Sequence, residues 1–162
     1  MYGKIVVCLD GSELAEHALK HAQAIVGENP EASLIILRVM EPALPAAYYM
    51  AGAGEYWPDI VEKIDHDIGE YLVKTADSLR HGGIANIETV MLKGKPDEEI
   101  LNYLAATEID LVIMTTHGRS GVSRWMMGSV AERVMRHSAV PVLVVPPPGL
   151  CTGRNKKSPP SE

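Results

Sequence analysis

The chain has 162 residues, 46% of them apolar and 22% charged, the proportions of an ordinary globular domain long enough to bury a core. Its formal charge of −6 argues against a general nucleic-acid binder, which needs net positive surface to displace counterions, but leaves room for one bound nucleotide on a local patch. The two cysteines, Cys8 in an apolar run and Cys151 in a polar tail, form no C-x-x-C pair and no disulfide framework, which removes the usual zinc and thioredoxin-like readings.

Ile5–Leu9 is too short for a signal-peptide core and is followed at once by Asp10. The longest apolar stretch, Ala139–Leu150, is interrupted by four prolines and falls short of a membrane span. The expectation is a soluble cytoplasmic protein with no membrane contact.

Ile5-Val6-Val7-Cys8-Leu9 is a continuous apolar run rich in branched residues, the pattern of a strand covered on both faces. Asp10-Gly11-Ser12 ends it. Ser12 is the expected N-cap of a helix in which Leu14, Ala15, Ala18, Leu19, Ala22, Ile25 and Val26 recur at helical spacing, and Gly27 and Pro30 close that helix. Ser33–Val39 reads as a second buried strand. Met40–Trp57, with Pro42, Pro45, Gly52, Gly54 and four aromatic residues, is the longest irregular insert and reads either as a lid or as a variable surface excursion.

From Pro58 onward, Val61, Ile64, Ile68, Tyr71, Leu72 and Leu79 define an amphipathic helix that ends near Gly82-Gly83. Asn86–Leu92 is a third strand, and Gly94-Lys95-Pro96-Asp97 leads into a helix carrying Ile100, Leu101 and Leu104. Asp110–Thr115 is a fourth strand. After a Gly- and Ser-containing loop comes a helix from about Gly128 to Arg136, then a short fifth strand at Val142–Val145. Residues 1–146 thus make one domain, and 147–162, rich in proline and carrying Arg154, Lys156 and Lys157, is expected to be a flexible tail.

Strands alternating with helices imply parallel pairing through right-handed crossovers, and five strands fit a doubly wound α/β sheet with helices on both faces. Ligands of such sheets bind beyond the carboxyl ends of the strands, where the strand order reverses. The loops after the first and fourth strands carry the unusual chemistry.

The strongest local signal is Thr115-Thr116-His117-Gly118-Arg119-Ser120-Gly121, continuing to Gly128-Ser129 at the start of a helix. Helix N-termini expose backbone N–H groups, and their dipole favours anions by about 0.3–1 kcal/mol when exposed, rising to roughly 2 when partly buried. Glycines let oxygens approach the backbone, Ser129 can donate a hydroxyl, and Arg119 and Arg124 can add charge-assisted bonds. A polyphosphate suits that set; a turn and a capped helix with purely geometric glycines is the competing reading. Neither the G-K-[ST] of a Walker A loop nor a G-x-G-x-x-G dinucleotide fingerprint is present.

On these residues the chain resembles the universal stress protein family from about Lys4 to Val145. Asp10-Gly11-Ser12 and the Ala/Leu-rich helix after it resemble that family's opening. Gly118, nine intervening residues and Gly128-Ser129 match the family's ATP-binding signature, G-x2-G-x9-G-[ST], except that Thr115 occupies the first glycine position. Val130-Ala131-Glu132-Arg133-Val134 and Pro141-Val142-Leu143-Val144-Val145 are typical as well.

The resemblance implies strand order 3-2-1-4-5, with the switch point between the first and fourth strands. It further implies Asp10 near the ribose and a Mg²⁺ ion, Cys8 and Val39 near the adenosine with Val39 offering backbone bonds to adenine, and Met114 at the base of the pocket. Gly118, Arg119 and Gly121 would wrap the phosphates, and Gly128, Ser129 and Val130 would complete the cradle. Thr115 would either help with an oxygen through its hydroxyl or narrow the pocket by its bulk.

Read from the residues alone, Asp10 serves equally as a helix-capping or turn residue. His17 and His21 at i, i+4 read as a solvated helix face, His117 as a loop-stabilising group, and Cys8 as a small buried apolar residue. The apolar fifth strand would be an uncovered edge, so a homodimer through Pro141–Val145 is expected. The functional expectation is an ATP- or adenine-nucleotide-binding stress-response regulator with slow or no hydrolysis and no assigned catalytic residue. Two alternatives stand beside it: a slow Mg²⁺-dependent ATPase, and a dimeric partner-binding module that holds no nucleotide.

Overall fold

Lys4–Cys8 forms the central strand β1, and Ile5, Val6 and Val7 are wholly buried because helices cover both of its faces. The structure, a computed structural model, describes residues 2–41, 57–116 and 127–146, with residues 57 and 58 described by backbone alone. The elements follow in chain order: α1 (Glu13–Gly27), β2 (Ser33–Met40), α2 (Trp57–His81), β3 (Ile87–Lys93), α3 (Pro96–Ala106), β4 (Leu111–Thr115), α4 (Ser129–His137) and β5 (Val142–Val145). Of the expected insert Met40–Trp57, Met40 ends β2 and Trp57 opens α2, while residues 42–56, the loop residues 117–126 and the tail 147–162 lie outside the described residues.

All strand pairs are parallel, in the order β3-β2-β1-β4-β5. This is the expected doubly wound order. Val7 pairs with Ile36 on one side and Ile113 on the other, so β1 lies between β2 and β4.

Side-chain alternation divides the interior in two. Ile5, Val7, Leu34, Ile36, Leu111 and Ile113 face the alanine-rich stripe of α1 (Ala15, Ala18, Ala22) and Ile68, Leu72 and Ala76 of α2. Small residues on α1 let that helix sit close to the sheet. Val6, Cys8, Ile35, Leu37, Val112 and Met114 face Ile100 and Leu104 of α3 and Ala131 and Val134 of α4. The strand-length expectations hold within one residue at each end, and β3, at the sheet's edge, is only partly buried.

At the amino end of the sheet, the Asp110 carboxylate accepts the Gly3 and Lys4 N–H groups on Oδ2, each at 2.8 Å. These two bonds hold its carboxyl below the usual carboxylate range. A carboxyl with a lowered native pKa stabilises the fold above its unfolded pKa, and that contribution fades as pH falls through the native value. Asp110→Asn is therefore expected to be less stable than wild type at neutral pH, with the difference vanishing in acid; urea titrations at pH 7 and near pH 2.5 check it. Ile36→Ala, in the fully buried layer, is expected to lose about 2–5 kcal/mol, read as a lower urea midpoint at unchanged slope.

Candidate functional site

β1 and β4 are neighbours, yet the chain leaves β1 for α1 on one face and is followed after β4 by α4 on the other. That divergence opens a crevice beyond their carboxyl ends. On the β1 side, Asp10 Oδ1 accepts the Ser12 N–H at 2.9 Å and the Ser12 hydroxyl at 2.6 Å. Ser12 Oγ in turn accepts the Ala15 N–H at 3.2 Å, so Ser12 caps α1 as its position in the sequence implies. Asp10 is thus a turn residue, partly exposed at the crevice. Gly11 has φ +83°, the left-handed region in which glycine carries no Cβ penalty.

On the β4 side, Thr116 N–H donates to the Val145 carbonyl at 3.0 Å and Thr116 C=O accepts the Gly128 N–H at 2.6 Å. The last bond ties the start of α4 to the end of β4. Gly128 is the N-cap of α4 with φ −62° and ψ 144°, and it offers no side chain to close the helix. The first-turn carboxylate, Glu132, is engaged with Arg136 at 2.9 Å, and does not fold back onto the helix start. The N–H groups of Ser129, Val130 and Ala131 open the helix and point along its axis toward the crevice.

Cys8 and Met114 sit side by side in the layer facing α3 and α4, and Val39, Met127 and Val130 pack partly buried against the same layer. The backbone of Val39 has a particular position. Leu9 N–H bonds the Leu37 carbonyl, whereas the Met40 carbonyl accepts the Gly94 N–H on the β3 side. Backbone polar groups alternate sides along a strand, so the N–H and C=O of Val39 face the β1 side, past the last residue at which β1 pairs with β2. Thr115 is buried, and alternation puts its side chain with Leu111 and Ile113, on the face opposite Met114.

Of the sequence-derived site residues, Cys8, Asp10, Val39, Met114, Gly128, Ser129 and Val130 thus gather around one end of β1 and β4, while Thr115 turns to the α1 side. Gly118, Arg119 and Gly121, with His117 and Arg124, lie outside the described residues. Among the described residues no three His, Cys, Asp or Glu side chains cluster as a metal site, and no helix is long and apolar enough to cross a membrane. A cavity of about 300 Å³ lies between α1 and α2, lined by Glu16, Leu19, Tyr71 and Lys74 among others, away from the Cys8–Met114 layer.

Two features were not read from the sequence. Arg38, a single charge inside the buried β2 run, stacks on Tyr71 with its guanidinium carbon 5.0 Å from the ring centroid. Burial and the adjacent Glu16 push the Tyr71 phenol up to about 12. The other is Asp97, buried in the first turn of α3 and paired with Arg133 of α4 at 2.9 Å. The lone charge in an apolar strand is a signal that could have marked Arg38; the α3–α4 pair has no local signature.

A sequence profile of the Universal stress protein family matches residues 1–146. Universal stress protein MJ0531 of Methanocaldococcus jannaschii is 34% identical over 148 residues, covering 91% of this chain and 84% of that protein. Among solved structures, hypothetical protein MJ0577 superposes with a TM-score of 0.77 at 29% identity, over 90% of this chain and 96% of the other. A universal stress protein in complex with cAMP gives a TM-score of 0.63 at 25% identity, over 89% and 96% of the two chains.

Burial pushes the Cys8 thiol up to about 12, so it stays protonated and unreactive at neutral pH. In a Cys151→Ser background, a thiol reagent at pH 8 is expected to leave Cys8 unmodified until urea unfolds the chain. Rapid labelling of the folded protein would show that the Cys8–Met114 layer is open to solvent.

Proposed function

We propose, from the premise that the chain belongs to the universal stress protein family, that it binds an adenine nucleotide, ATP foremost, in the crevice beyond β1 and β4. The observation that carries this reading is the start of α4, whose N-cap Gly128 has no side chain and is bonded to Thr116 at the carboxyl end of β4, beside the end of β1 that leads into Asp10. Anionic oxygens suit the peptide N–H groups of a helix start whose N-cap glycine has no side chain to close it, and the helix dipole adds to the attraction. In this reading Gly128, Ser129 and Val130 cradle the phosphates together with Gly118, Arg119 and Gly121. Adenine packs near Cys8 and Met114, and the N–H and C=O of Val39 meet the edge of the base. The cAMP complex of a relative supports the adenine class.

Asp10 is the ribose and Mg²⁺ carboxylate of the proposal. Mg²⁺ is commonly held by one or two carboxylates plus phosphate oxygens and water, so a single aspartate suffices when the nucleotide supplies the rest. With Oδ1 already holding Ser12, Asp10 is better suited to orienting a ligand than to taking a proton, and hydrolysis is slow or absent. Thr115 is compatible with binding because its side chain leaves the Met114 face clear. The protein then acts as a stress-response regulator in which occupancy, not turnover, is the output.

Dimerisation through β5 belongs to the same proposal. Val145 and Pro141 carbonyls serve β4, so by alternation the N–H and C=O of Val142 and Val144 face away from the sheet. Pairing with the same strand of a second copy would satisfy them.

Three measurements decide these points. Denaturing the purified protein is expected to release an adenine nucleotide, and Gly128→Glu is expected to weaken ATP binding by about a hundredfold or more, through a carboxylate beside the phosphates, with circular dichroism unchanged. Unaltered affinity in that variant removes the phosphate cradle; no affinity in wild type leaves the partner-binding module. For the dimer, Val144→Pro deletes one outward N–H without touching the β4 ladder, and sedimentation equilibrium is expected to show monomer where wild type shows dimer.

A further inference from the structure

Arg38 is 9% exposed, an unusual burial for a cation. Its guanidinium is fixed on two sides. On one side lies Gly11: a Cβ added there would stand 2.6 Å from Nη1 and 2.7 Å from both Cζ and Nη2, so the plane of the guanidinium rests directly on the glycine. On the other is the Tyr71 ring, 5.0 Å away. The ring belongs to α2, packed on the sheet through Ile68 and Leu72, and its hydroxyl also donates to Glu16 Oε1 at 3.0 Å. Glu16 belongs to α1, whose N-cap Ser12 closes the same turn from its far end.

The turn needs such support. The Asp10–Ser12 bonds close the turn locally but do not fix it against β2 and α2, and glycine in the left-handed region is permitted there, not confined there. A Cβ at position 11 would push the guanidinium from this place, so the contact is possible only with glycine there, which the positive φ favours as well. Arg38 spans β2, the β1–α1 turn and α2, so these three parts are fixed relative to one another by one planar group.

We propose that Arg38, held between Gly11 and the Tyr71 ring, is a positioning residue that clamps the Asp10–Ser12 turn and so presents the Asp10 carboxylate to the nucleotide in one orientation. The inference rests on the nucleotide-binding reading above. Arg38 touches no ligand in this account; it removes alternatives open to the turn before the ligand arrives, a saving in ordering cost. What matters is the flat cation on the aromatic face, so the ring is required and the phenolic hydroxyl is secondary.

The test compares wild type with Arg38→Met, Tyr71→Leu and Tyr71→Phe. ATP affinity is measured calorimetrically with Mg²⁺, and amide hydrogen exchange at Gly11, Ser12 and Glu13 is measured without nucleotide. Tyr71→Phe keeps the ring and is expected to match wild type in both. Arg38→Met and Tyr71→Leu are expected to bind ATP about tenfold more weakly, a loss in the range of one cation–π contact. Exchange at the three amides accelerates in both variants, while protection in β4 and α4 is unchanged. Should Arg38→Met fail to fold, the Tyr71→Leu and Tyr71→Phe pair still decides the matter.

Wild-type affinity in the Leu variant overturns the clamp and leaves nucleotide binding intact. A wild-type chain that binds no ATP overturns the functional reading instead. The clamp is then judged on exchange alone: unchanged protection at the turn overturns it, and faster exchange supports it.

Discussion

The parallel pairing of β1 with β4 is the contact on which everything else hangs. It joins two strands whose onward connections run to opposite faces, and the polar groups of the proposed nucleotide site stand just beyond that pair. The pairing is possible because both strands are apolar on both faces, so that α1 and α2 bury one side and α3 and α4 the other. A strand with a polar face would have left one helix layer without a partner. Packing demands along β1 and β4 leave no room for chemistry within them, and the polar residues collect at their ends.

Much of this was legible in the chain. The apolar run Ile5–Leu9, the cap at Ser12 and the alanine-rich repeat on α1 are local patterns, and local patterns specify local structure. Strand order and the gathering of Cys8, Val39, Met114 and Gly128 rested on resemblance, since periodicity alone gives no order of strands. The α3–α4 ion pair of Asp97 with Arg133 joins residues far apart in the chain, and no spacing rule announces such a pair. Arg38 was different. Its oddity was visible in Ser-Leu-Ile-Ile-Leu-Arg-Val-Met, but its partners, a glycine from one loop and a tyrosine from the next helix, follow only from the register of β2 against β1. The side-chain direction of Thr115 likewise follows from the strand's phase.

Charge is handled locally throughout. A chain with formal charge −6 is an unpromising host for an anion if charge is treated as a single sum. Around the crevice, however, carboxylates already have partners: Asp97 with Arg133 and Lys95, Glu132 with Arg136, and Asp10 with Ser12. The two ion pairs offset negative charge near the start of α4, while Asp10, which accepts from the neutral Ser12, keeps its charge for the Mg²⁺ of the proposal. The distant acidic residues, such as Glu70 with Lys74, are screened by solvent and matter little at that range.

Asp110 has a practical bearing of another kind. By taking the Gly3 and Lys4 amides on one oxygen, it moors the first residues to the floor of the sheet. The five residues of β1 then separate that mooring from the crevice by about 16 Å at the usual rise per residue. A fluorophore, affinity handle or fusion partner attached ahead of Gly3 would hang from the opposite pole of the molecule. Such an attachment can report on the whole particle without crowding the crevice.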